Sequence, residues 1–246
     1  LYTLYGYTST GKTTLALQIT EAMASVHEYW VRVFSYEQPC RRIAATLLSA
    51  GASVNVHRLM SAGELPTDDQ WATLRMVRAR HAPLNYDIVE ENVDAAGIFA
   101  RCCRWRSKLG ERGCVLVDYI QNLPPVSGIT EDVPRINESM RWLQRCARDL
   151  GLLVLAISQI NRVGGTSERP PRLTDALGGV AIESRSDCVA AGYRPHIMEP
   201  CPTDGFDAIA EWKTRQLKTQ VHLLKDKYGP KGMAELTFNP AGMRFE

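Results

Sequence analysis

The chain has 246 residues, 45% of them hydrophobic and 23% charged, with a formal net charge of +2. Such a balance excludes a disordered chain, and the length suits one large α/β domain with a sizeable core, taken here as residues 1–246. No apolar run approaches the roughly 20 residues a membrane-spanning helix needs, and so small a net charge leaves any nucleic-acid contact to local basic patches.

Leu1-Tyr2-Thr3-Leu4-Tyr5 reads as a strand with no lead-in, so an N-terminal region of the full protein is expected to be missing from this sequence. The strand runs into Gly6-Tyr7-Thr8-Ser9-Thr10-Gly11-Lys12-Thr13-Thr14 and then into residues with helical spacing. A second strand is expected at Val31-Arg32-Val33-Phe34-Ser35, ending on Glu37, and a helix over roughly 39 to 50. Pro66-Thr67-Asp68-Asp69 reads as a helix entrance.

Tyr86 to Val89 is predicted as a strand, 95 to 109 as a basic helix, and Cys114-Val115-Leu116-Val117-Asp118 as a buried parallel strand. A helix over 134 to 150 leads to another buried strand, 152 to 157. A loop rich in Gly, Pro, Ser and Arg covers 163 to 175, and strand-like segments lie near 219 to 225 and 233 to 238. Strict alternation of strand and helix implies βαβ units, hence a mostly parallel doubly wound sheet with helices on both faces. The seven cysteines include no C-x-x-C pair and no His partner at zinc spacing. Reduced thiols in a cytoplasmic protein are the expectation, and no secretion signal is visible.

Gly6-x4-Gly11-Lys12-Thr13 fits the phosphate-binding loop G-x-x-x-x-G-K-[ST], and it lies between a strand and a helix as the mechanism requires. Glycines let backbone N–H groups approach phosphate oxygens, Lys12 neutralises β/γ charge, and the Thr13 hydroxyl completes a Mg²⁺ shell. Residues 6 to 14 are therefore the expected ATP cradle. Asp118, closing an apolar strand, is the natural second metal group. Glu37, at the end of the strand after the loop helix, can orient and deprotonate the attacking water. Gln159, after the strand 152 to 157, can sense the γ-phosphate without acting as a base. By position alone, Glu37 also reads as an exposed strand-end carboxylate and Gln159 as a polar loop residue.

Taken together these pieces resemble the C-terminal motor domain of DnaB-type replicative helicases. Phe34-Ser35-Tyr36-Glu37 resembles the strand ending in the family's catalytic glutamate, Val117-Asp118-Tyr119-Ile120-Gln121 its second metal motif, and Ser158-Gln159-Ile160-Asn161-Arg162 its DNA-coupled glutamine motif. Asp175, Ala181-Ile182-Glu183, Asp187, the run Lys225 to Gly232 and the closing Met243-Arg244-Phe245-Glu246 match in family order. The resemblance implies a RecA-like fold with antiparallel strands at the C-terminal edge. It also implies ATP hydrolysis with Mg²⁺, assembly as a hexameric ring, translocation on single-stranded DNA, and contact with primase and a helicase loader.

The resemblance also implies that Lys225 and a finger position, here Lys227 instead of arginine, reach the neighbouring subunit's ATP. The other reading of residues 225 to 231 is a solvated basic hairpin. The family's DNA loop corresponds to about 175 to 183, where Leu177 stands in place of an expected arginine. Gly178 and Gly179 could offer backbone N–H groups, with Arg162, Arg169 and Arg172 as substitute charges. Arg101, Arg104, Arg106 and Arg112 read as the wet face of a helix. Two alternatives share the loop: a RadA-like recombination ATPase and a KaiC-like signalling ATPase without a DNA role.

Overall fold

The computed structural model describes residues 1–106, 112–160, 169–176 and 178–246, the side chain of Ser127 excepted. Arg162, Leu177 and the first part of the loop expected over 163 to 175, residues 163–168, lie outside the described residues. Strand β1 (Tyr2–Gly6) leads through the glycine turn to α1 (Lys12–His27), followed by β2 (Trp30–Ser35), α2 (Cys40–Ala52), α3 (Val56–Ala62) and α4 (Asp68–His81). Next come β3 (Tyr86–Val89), α5 (Ala95–Arg106), β4 (Gly113–Asp118), α6 (Asp132–Asp149) and β5 (Leu153–Gln159). Last are α7 (Gly179–Arg185), β6 (Cys188–Tyr193), α8 (Phe206–Gln216), β7 (Lys218–Asp226), β8 (Gly232–Asn239) and β9 (Arg244–Phe245).

These strands form one nine-stranded sheet in the order β3-β2-β4-β5-β1-β6-β7-β8-β9. Every pair from β3 to β6 is parallel, and the pairs from β6 to β9 are antiparallel. The expected mixed architecture is therefore the one observed. All six residues of β4 are buried, as a parallel strand covered on both faces must be. Its alternate side chains feed two cores: Cys114 and Leu116 meet Leu17 and Ile43 from α1 and α2. Val115 and Val117 meet Ile98, Met140 and Leu143 from α5 and α6.

Several boundaries differ from expectation for local reasons. Pro66 stands just before the cap of α4 rather than inside the helix, because Thr67 and Gln70 close a capping box there. β5 continues to Gln159, where pairing with β1 extends it, so Gln159 is a strand residue and not a loop residue. The predicted end of the basic helix near 109 falls outside the described residues.

β6, α3, α7 and α8 have no counterpart among the elements expected from sequence. β6 is Cys-Val-Ala-Ala-Gly-Tyr, whose small residues carry little strand preference, and it owes its form to β1 and β7 on either side. α8 has no buried residue and hence no strong apolar stripe to read. Among the described residues no helix is long and apolar enough to cross a membrane.

Leu143 is fully buried between α6 and the sheet. Its truncation, Leu143→Ala, should cost about 2–5 kcal/mol, read as a lower urea midpoint with the slope unchanged. An unmoved midpoint would show that α6 does not close this face.

Candidate functional site

The carboxyl ends of the parallel strands gather the residues singled out in the sequence. Gly6 ends β1 beside Gly192 of β6, and a Cβ on Gly6 would stand 2.6 Å from the Gly192 carbonyl oxygen. Gly11 caps α1 with φ +81°, and a Cβ there would stand 2.5 Å from Cζ of Phe245. The first position needs a missing side chain and the second also a left-handed backbone, so glycine serves at both. Gln18 fixes the segment that carries this ring: its Nε2 donates to the Phe245 carbonyl at 2.8 Å, and the Phe245 N–H donates to its Oε1 at 3.0 Å.

Within the turn, Thr10 Oγ1 and Lys12 Nζ both donate to the Tyr7 carbonyl, at 2.9 and 2.7 Å. Arg194 Nη1 donates to the Ser9 carbonyl at 3.0 Å. Two loop carbonyls are thus occupied, while the first N–H groups of a helix have no intrahelical partner and suit an anion. Sequence reasoning misses Arg194, because it lies 185 positions from Ser9 and no local pattern marks it.

Thr13 Oγ1 donates to Asp118 Oδ2 at 2.9 Å, joining the first turn of α1 to the end of β4. Asp118 is 1% exposed, and its Oδ1 has no hydrogen-bond partner among the described residues. Burial raises its pKa to about 6, with the Thr13 hydrogen bond opposing, the Glu37 charge adding and the Lys12 charge opposing. Burial lowers the Lys12 pKa to about 8 against the attraction of Asp118 and Glu37. A half-buried amine resting on a carbonyl oxygen, and a buried carboxylate oxygen without a partner, leave room for the charges that an anion and a hard cation would bring. An unpartnered carboxylate oxygen beside a hydroxyl is a donor set that fits such a cation.

Glu37 is exposed in the bend after β2, and its charge acts on both Lys12 and Asp118. Its bend is held by the Tyr36 N–H donating to the Asp118 carbonyl at 2.7 Å and by Ser35 Oγ donating to the Gln38 carbonyl at 2.6 Å. Gln159 pairs in register with Gly6. Lys12, Thr13, Asp118, Glu37 and Gln159 therefore share one edge of the sheet.

Other expected residues lie apart. Lys225 Nζ donates to the carbonyls of Glu183 and Ser186, at the end of α7. Lys227 pairs with Asp187 at 3.4 Å and lies 5.5 Å above the Tyr228 ring. Arg169 makes a two-pronged ion pair with Asp175, at 2.8 and 3.0 Å, and the Gly179 N–H donates to the Ala176 carbonyl at 2.8 Å. Neither Arg169 nor Gly179 presents the uncommitted donor expected from sequence. Gly178 and Gly179 answer to packing: added Cβ atoms would stand 2.6 Å from Ile136 and 2.8 Å from the Leu173 carbonyl oxygen. Arg172 is exposed, and its carbonyl accepts the Tyr5 hydroxyl at 2.5 Å.

The family model of the DnaB-like helicase C-terminal domain matches residues 1–246. The chain belongs to that family. Among curated relatives of this DnaB-like domain, the replicative DNA helicase DnaC of Bacillus subtilis is 29% identical over 94% of the chain and 48% of the relative. The replicative DNA helicase DnaB of Leifsonia xyli is 32% identical over 77% of the chain and 41% of the relative. The chain thus spans about half the length of the curated relatives it matches.

One solved ATPase domain superposes with a TM-score of 0.86 at 23% identity, over 99% of this chain and 83% of that one. A DnaB-like replicative helicase, solved in a study of its interactions with primase, gives a TM-score of 0.86 at 23% identity over 100% of this chain and 56% of that one. Both show the shared fold. Membership of the DnaB-like helicase C-terminal domain family makes this a nucleotide-binding ATPase domain, and sets the chain apart from the RadA-like and KaiC-like alternatives.

The buried carboxylate predicts a pH dependence. Because the folded-state pKa of Asp118 lies above its ordinary 3.8, its protonated form favours folding below pH 4, and that contribution is lost as pH rises through 6. In nucleotide-free, metal-free protein, Asp118→Asn should gain stability relative to the parent by about 2–3 kcal/mol between pH 4 and pH 8. Denaturant titrations at the two pH values check this, and a pH-independent difference would refute it.

Proposed function

We propose that this domain hydrolyses ATP to drive translocation along single-stranded DNA and duplex unwinding, as one subunit of a hexameric ring. The observation that carries the reading is the convergence of the Gly6 to Thr14 loop, Asp118, Glu37 and Gln159 on one edge, with Lys12 and Asp118 short of countercharge. ATP lies along the loop, with Lys12 leaving the Tyr7 carbonyl for the β- and γ-phosphates. Thr13 and Asp118 would hold Mg²⁺, which would supply neutralisation of phosphate charge when bound. Glu37, exposed and unburdened by a close ion pair among the described residues, orients the attacking water and takes its proton. Gln159 donates to the γ-phosphate and registers its loss.

Lys225 and Lys227 act across the subunit boundary. In the single chain both contact their own α7–β6 junction, so assembly exchanges those contacts for the neighbour's phosphate. An arginine finger contributes about 10³ to 10⁵ in kcat, and lysine supplies its charge without its planar fork. DNA is held through its backbone by the segment that leaves β5 and returns at the Ile160 to Ala176 bridge. Arg162 and Arg172 supply charge there, Arg169 shapes the returning segment through Asp175, and Gly178 and Gly179 let it pack closely. Phosphate contacts of this kind are indifferent to base sequence. Primase and a helicase loader are the proposed protein partners, the first supported by the solved DnaB-like relative studied with primase.

Lys12→Ala should abolish ATP turnover that a single-stranded oligonucleotide otherwise stimulates; normal turnover in the variant, or no response of the parent to DNA, rejects the reading. Mixing Lys227→Ala subunits, inactive in trans, with Glu37→Gln subunits, inactive in cis, should restore part of the activity. Absence of rescue at every mixing ratio would place Lys227 outside the neighbour's site.

A further inference from the structure

β5 outruns one of its neighbours. Its pairing with β4 stops at Val117 opposite Ala156, whereas its pairing with β1 continues to Gly6 opposite Gln159. On the β4 side, the last stretch of β5 would lack a ladder partner, yet this stretch carries Gln159. Gln121, in the 3₁₀ turn Ile120–Asn122 that follows Asp118, fills the place of the missing ladder. Its Nε2 donates to the buried Ser158 hydroxyl at 2.8 Å, and its Oε1 accepts the Gln159 N–H at 3.3 Å.

The turn itself is anchored. Arg135 Nη1 from α6 donates to the carbonyls of Gln121 and Leu123, at 2.7 and 2.9 Å. Three residues upstream, the Asp118 carbonyl receives the Tyr36 N–H from the bend that carries Glu37. One amide side chain therefore links the turn tied to Asp118 and Glu37 with the backbone of Gln159. Immediately beyond, Ile160 bridges to Ala176, the returning end of the segment proposed to hold DNA. A primary amide serves both contacts at once, donating to the Ser158 hydroxyl and accepting from the Gln159 N–H.

We propose that Gln121 is a positioning residue of the ATPase cycle, which holds Gln159 in register with Asp118 and Glu37. This inference rests on the ATPase reading of the site. Its test is steady-state ATP hydrolysis by the assembled protein with single-stranded oligonucleotide, comparing Gln121→Leu, Gln121→Glu, Gln159→Ala and the double substitution Gln121→Leu with Gln159→Ala.

Gln121→Leu should lower kcat roughly fivefold to tenfold, the rate equivalent of one ordinary hydrogen bond, and leave KM for ATP unchanged. Gln121→Glu keeps the acceptor for Gln159 and should recover part of the loss. Adding Gln121→Leu to Gln159→Ala should lower kcat no further, since Gln121 acts through Gln159. Full kcat in Gln121→Leu, losses that multiply in the double variant, or a lowered thermal midpoint with kcat per folded molecule intact would each overturn the proposal. Lys12→Ala, run in parallel, separates the two levels: normal turnover there overturns the ATPase reading and this inference together. An inactive Lys12→Ala beside an unimpaired Gln121→Leu overturns this inference alone.

Discussion

The hydrogen bond from Thr13 to Asp118 joins a helix start to a strand end across 105 positions of sequence, and the geometry of the whole edge follows from it. Because Thr13 sits in the first turn of α1, the bond fixes how far the glycine loop stands above β4. Because Asp118 is buried with one oxygen unpartnered, the same bond holds a carboxylate in an environment that disfavours its charge. Among the described residues, Asp118 is the one carboxylate the fold buries with an oxygen left unpartnered. Local rules of packing fail where substrate is to supply the missing partners.

What could be read in advance was local in sequence. The apolar run closing on Asp118, the glycine and lysine spacing from Gly6 to Thr13, and the alternation of strands and helices each arise within about ten neighbouring residues, the range over which periodicity and turn chemistry operate. The place of Glu37 near a strand end was legible, although β2 stops at Ser35 and the bend after it carries the residue. Features set by distant pairs were not legible. Arg194 gains its place on the Ser9 carbonyl only once β6 lies beside β1, and β6 lacks the branched residues that would announce a strand. Gln121 matters because β4 stops pairing before β5 does, a property of register that no window of sequence contains.

The basic residues mark a different limit. A lysine or arginine in sequence declares charge but not its partner. Arg169 turns out to serve Asp175, and Lys225 the carbonyls that end α7, so each is part of the internal framework of the single chain. For Lys225 this contact doubles as a favourable interaction of a cation with a helix C-terminus. Departure from such a partner has a cost that a purely solvated side chain would not meet. The trans role proposed for Lys225 is therefore tied to the conformation of α7 and β6.

The two-way clasp between Gln18 and Phe245 spans 227 positions, and the Phe245 ring occupies the room left by Gly11. During synthesis the ring that backs the glycine loop is made long after the loop itself. Early contacts among α1, β1 and β2 can form while the ribosome is still translating, but the wall behind the loop cannot. A nascent chain that has released the glycine loop but not Phe245 thus carries an unfinished cradle.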